Sequence, residues 1–113
     1  MDMKNVTVIV SSAPSGEVAE ALRMAVGLSL EDGNALRVVL VDDGVYAGLG
    51  HDKQKSGIEI EKSFATLEML KKDILAVKPS LESRGVTLSR FGIRTIERDE
   101  FVKILTEPGV VIG

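Results

Sequence analysis

Five consecutive residues near the start of the chain, Val6-Thr7-Val8-Ile9-Val10, are all β-branched. A run with almost no polar face fits a strand covered on both sides, as strands are inside a parallel sheet. The stretch Ser11-Ser12-Ala13-Pro14-Ser15-Gly16 that follows is loop by composition. Then comes a helical pattern, predicted from Glu17 to Glu31. Val18, Ala21, Leu22, Ala25 and Leu28 share one face, and Met24 widens it. Ser15 is placed to cap the free amides of that helix, and Glu17 and Glu20 suit its positive end. Gly33 is a natural stop. A buried strand, a short loop and an amphipathic helix open a β-α-β unit.

The rest of the chain repeats the alternation. Leu36 to Val41 is a second buried run, broken only by Arg37, and Asp42-Asp43-Gly44 ends it in a turn. Val45 to Gly57, with Gly48 and Gly50 inside it, reads as a mobile loop. A second helix is predicted from near Ile58. Ile60, Phe64, Leu67, Leu70, Ile74 and Val77 recur at steps of three and four, and Pro79 breaks or kinks it. Met69 and Leu75 fall off that stripe, where they would meet a neighbouring molecule. Ser80 to Arg84 adds a short turn before Gly85. Val86 to Arg90 reads as a third, weaker strand, and Arg94 to Glu97 as a fourth. Asp99 is placed to cap a helix from Glu100 to Thr106. Val110 to Ile112 is a last strand. This order implies α/β architecture with a mostly parallel sheet. The 113 residues suit one domain spanning 1–113. Ligands in such folds collect beyond the carboxyl ends of the strands. That edge would hold the loops at Ser11 to Gly16, Asp42 to Gly50 and Phe91 to Ile93.

Composition removes several chemistries. There is no cysteine, so the chain has no thiolate nucleophile, disulfide or cysteine-held metal cluster. One histidine, His51, is too few for a His-rich metal site, and neither a metal nor a cofactor is expected. A net charge of −3 argues against nucleic acid as a partner. No apolar run approaches the ~20 residues that span a bilayer, and the first residues lack a signal-peptide pattern. A membrane partner is therefore not expected, and the expected compartment is the cytoplasm.

Two stretches carry a resemblance. Ala21-Leu22-Arg23-Met24-Ala25-Val26-Gly27-Leu28, followed by Arg37-Val38-Val39-Leu40-Val41-Asp42-Asp43-Gly44-Val45-Tyr46, resembles the DsrE/DsrF-like sulfur-relay family, which includes the Tus and Dsr proteins. The resemblance implies a flavodoxin-like three-layer sandwich with a sheet of about five strands, and assembly into trimers or hexamers. It also implies a cysteine that carries persulfide just after the third strand. Here the matching slot falls at or within two residues of Phe91-Gly92, and no residue there carries sulfur. The resemblance thus points to a member without sulfur-carrier chemistry, a binding or scaffold subunit beside a cysteine-bearing sulfur carrier.

The candidate site residues each admit two readings. Asp42 and Asp43 are cation or ligand contacts, or turn residues bonded to backbone amides, and the turn is favoured because Asp-Gly is ordinary turn chemistry. Gly44 belongs to that turn. Tyr46 holds a ligand or packs in a subunit interface, and the interface is favoured. Ser11 and Ser12, with Ser15 and Gly16, form an anion cradle or a capped loop. The loop is favoured, since Glu17 and Glu20 repel phosphate and the nucleotide-loop pattern is missing. His51 is a general base or an exposed loop residue. The alternative to the scaffold reading is a small-ligand or anion-binding enzyme that uses Ser11, Ser12, Asp42 and His51 along the strand edge.

Overall fold

The computed structural model describes residues 4–31, 34–49 and 55–113. Among the described residues five strands, β1 (Lys4–Val10), β2 (Asn34–Leu40), β3 (Asp73–Val77), β4 (Arg94–Ile96) and β5 (Val110–Ile112), form one sheet in the order β4-β3-β2-β1-β5. Each neighbouring pair is parallel. The α-helices described between them are α1 (Gly16–Ser29), α2 (Lys55–Met69), α3 (Lys78–Arg84) and α4 (Arg98–Thr106). A 3-10 helix, Asp42–Leu49, lies between β2 and α2. Among the described residues no helix is long and apolar enough to cross a membrane.

Strand alternation divides the core in two. Val6, Val8, Val10, Leu36, Val38 and Leu40 face the layer of α1 and α2, where Leu22, Phe64 and Leu67 are fully buried. Val39, Leu75, Val77 and Ile96 face the other way, against Phe101 and Ile104 of α4. Helices, sheet and helix make the expected three-layer flavodoxin-like sandwich. Arg37, the polar break in β2, lies on the α4 side. Its Nε donates to the buried Thr7 hydroxyl at 2.9 Å and its Nη2 to Glu107 at 2.7 Å, so this polar pair covers sheet that α4 does not reach.

The first β-α-β unit matches its pattern closely. Ser15 is extended and its hydroxyl accepts from the Val18 amide at 3.3 Å, as an N-cap does. Ser15→Ala is expected to cost about 1 kcal/mol. A urea melt with an unchanged slope and a lower midpoint would show it.

Several expectations are corrected. Val45 to Leu49 is not loop. It lies in the 3-10 helix, with Val45 and Ala47 buried, and Lys55 to Gly57 already belong to α2. The second helix stops at Met69. Lys71 takes a left-handed backbone (φ 59°), its amide donates to Glu68 O, and the Lys72 amide reaches back to Leu67 O. Those two bonds close the helix without glycine. Ile74 and Val77 therefore lie on β3, not on a helix, and Leu75 is buried in the sheet while Met69 is 74% exposed. Val86 to Arg90 forms no strand, because β3 already occupies the place between β2 and β4. Pro79 opens α3 rather than breaking a helix, since its missing amide is no loss in a first turn. Gly85 ends α3 with φ 61°, and Glu97, not Asp99, occupies the N-cap position of α4.

Candidate functional site

The carboxyl ends of β1 and β2 meet directly. The Val41 amide donates to Val10 O at 3.0 Å, and Gly44 then packs its α-carbon against the same carbonyl. The turn that leaves β2 takes a left-handed backbone at Asp42 (φ 51°), a conformation that aspartate adopts more readily than most residues. Its amide donates to the Ser80 hydroxyl at 2.9 Å, and Ser80 is buried. The next residue, Asp43, takes Arg84 Nε on its carboxylate at 3.0 Å. Arg84 Nη1 also donates to the Ser83 hydroxyl at 2.9 Å and to Ser80 O at 3.4 Å. Arg84 therefore ties the start of the 3-10 helix to α3.

Through this network the Asp43 carboxylate joins the turn to α3 by way of Arg84. Among the described residues no three His, Cys, Asp or Glu side chains lie close enough to share a metal ion. Ser80 and Arg84 escaped notice in the sequence. They stand about forty residues from the turn they hold, and no local pattern links them to it.

Tyr46 extends from the 3-10 helix between buried Val45 and Ala47 and is 37% exposed. Its ring is thus partly exposed between two buried neighbours. Ser11 and Ser12 are exposed on the other side of Gly44, where they line a cavity with Glu17 and Val18. The edge thus carries the Asp42–Tyr46 turn over β2 and the serine loop over β1, which touch where Gly44 packs against Val10 and the Ser11 amide. His51 lies outside the described residues.

Phe91 is not on that edge. It precedes β4, at the amino end of that strand, and is buried. Its ring centroid is 5.5 Å from that of Phe64 on α2. The Arg90 guanidinium sits 4.7 Å above the Phe91 ring, and Arg90 is ion-paired to Glu61. Phe91 and Gly92 both take left-handed backbones, at φ 62° and 65°. A bulky residue in that region costs about 1–2 kcal/mol, and burial of its ring offsets the strain.

Comparison with known proteins agrees with this architecture. No curated protein matches the chain. Among solved structures, the crystal structure of the ychN protein from E. coli superposes with a TM-score of 0.84, at 25% sequence identity, over 97% of this chain and 98% of that one. A family model described as the DsrE/DsrF-like family matches residues 4–111. The family match and the structural likeness both run along nearly the whole chain, and the chain belongs to the DsrE/DsrF-like family.

Proposed function

We propose that this chain is a non-catalytic binding or scaffold subunit of a cytoplasmic sulfur relay, associating with itself and with a cysteine-bearing carrier. Family membership supports the connection to sulfur relay. The absence of sulfur nucleophiles supports the non-catalytic part, and it is the observation that carries the reading: a persulfide needs a thiolate, and the chain has no cysteine. At the slot implied for the carrier cysteine, a buried phenylalanine is packed on Phe64. Exposed apolar side chains on α4 and β5, Val102, Leu105, Val110 and Val111, are consistent with association, and the resemblance to the family favours a trimer or hexamer.

Two measurements test this. Incubation with an isotope-labelled persulfide donor, followed by intact-mass analysis, is expected to leave the mass unchanged. A stable gain of one sulfur would overturn the reading. Light scattering at micromolar concentration is expected to show an oligomer. Tyr46→Ala should shift it toward monomer, by about 2 kcal/mol if the ring is an anchor. Asp43→Ala removes the Arg84 tie and should cost on the order of 1 kcal/mol or less, because that pair is partly exposed. A monomeric wild type, or Tyr46→Ala with intact assembly, would remove the interface role of Tyr46.

A further inference from the structure

A β-carbon at Gly44 would stand 1.8 Å from the Val10 carbonyl oxygen, so the position admits only glycine. The residue before it is Asp43. The fold therefore fixes an aspartate–glycine bond at the ends of β1 and β2, and such a bond is chemically labile. Glycine has no side chain to hinder attack by its own nitrogen on the carboxyl group before it. The Gly44 nitrogen attacks Asp43 Cγ. One carboxyl oxygen leaves as water, with the amide proton and a proton from solvent, and a cyclic imide forms. Water then opens the imide at either carbonyl. One opening restores aspartate. The other leaves isoaspartate, in which the main chain runs through the side-chain carbon.

The folded turn holds this reaction back. The Gly44 amide donates to Val41 O at 3.0 Å, so the attacking nitrogen is fixed and its proton engaged. The Asp43 carboxylate accepts from Arg84 Nε at 3.0 Å, and the rotation that brings Cγ onto the Gly44 nitrogen competes with that bond. Arg84 is itself tethered, since its Nη1 donates to the Ser83 hydroxyl and to Ser80 O. The product is opposed as well. Isoaspartate lengthens the main chain just before a glycine that is pressed against Val10.

We propose that Asp43 is a site of isoaspartate formation that the folded turn keeps closed, with Arg84 as its guard. Once formed, isoaspartate displaces Gly44 from Val10 and Asp43 from Arg84, so the turn that carries Tyr46 cannot close again around it. The reaction needs no partner and no oligomer, so it stands or falls apart from the scaffold reading.

The chain carries its own reference, a second aspartate–glycine pair at Asp32-Gly33, which lies outside the described residues. The full chain is kept at neutral pH and body temperature, with and without urea. It is then digested, and both pairs are scored by isoaspartyl methyltransferase labelling and fragment mass spectrometry. In urea both pairs are expected to react. In the folded chain Asp43 should slow at least about tenfold, which corresponds to about 1.4 kcal/mol. Arg84→Ala should speed Asp43 about fivefold over folded wild type, the most a partly exposed ion pair supplies, and leave Asp32 unchanged. If a melt shows that variant unfolded, Arg84→Lys replaces it, with a smaller rise expected at Asp43 alone. No isoaspartate at Asp43 in urea, equal rates at Asp43 with and without urea, a folded Arg84 variant that reacts like wild type, or a rise at both pairs alike would each overturn the proposal.

Discussion

Gly44→Ala is expected to lose about 3 kcal/mol or more of folding stability, the upper end of what overpacking costs. A β-carbon at Gly44 would stand 1.8 Å from the Val10 carbonyl oxygen and 2.5 Å from its carbon. Both are backbone atoms, at the carboxyl end of β1, so no rotamer change makes room. Val10 O already accepts from the Val41 amide, and moving it would open the pairing of β1 with β2. Domains of this size hold only ~5–15 kcal/mol in total, so the variant should melt roughly 10 °C or more below wild type. Gly27→Ala is the matched control. Gly27 is exposed in α1, with nothing within 4 Å of its notional β-carbon. It should gain about 0.5–1 kcal/mol from helix propensity. Chemical denaturation of both variants gives opposite signs if the clash at Gly44 is real. A Gly44→Ala midpoint within error of wild type would refute the packing described at the strand ends.

Phe64→Ala is expected to cost about 3–5 kcal/mol. The ring is fully buried where α2 meets the sheet, and it backs the Phe91 ring. Its removal leaves a cavity beside a residue whose left-handed backbone is held there by packing. The loss should therefore reach beyond α2. Amide exchange at Phe91 and Gly92 should speed up more than at Val38, which lies deep in β2. Phe64→Leu keeps most of the volume and should cost less than half as much. Equal protection at Phe91 in both variants would separate that turn from the aromatic pair.

The first β-α-β unit could be read from local pattern, because there pattern and breaker agree. The β-branched run of β1, the Ser15 cap, the stripe of α1 and the Asp-Gly turn after β2 all follow from neighbouring residues. β3 was hidden by an accident of spacing. Leu67, Leu70, Ile74 and Val77 continue a three-and-four rhythm across the end of α2, and no glycine or proline interrupts it. The break is made by Lys71 in a conformation its side chain does not advertise. The 3-10 helix was hidden for the opposite reason. Gly44 and Gly48 suggest freedom, yet both are small because other atoms press on them, Val10 on the first and Leu88 and Ile93 on the second. At the site, only the turn at Asp42-Asp43-Gly44 was readable, since Asp-Gly is ordinary turn chemistry. Its anchors Ser80 and Arg84 were not, because only the fold brings them near.

The pairing of Val6 with Val110 has a consequence for the order of folding. β1 and β5 lie far apart along the chain, so the contact between them closes a long loop and forms late. Until β5 docks, one flank of β1 offers unpaired amides and carbonyls beside an almost wholly apolar surface, the condition that favours pairing between chains. The docking of β5 is thus the step at which folding and aggregation compete most directly.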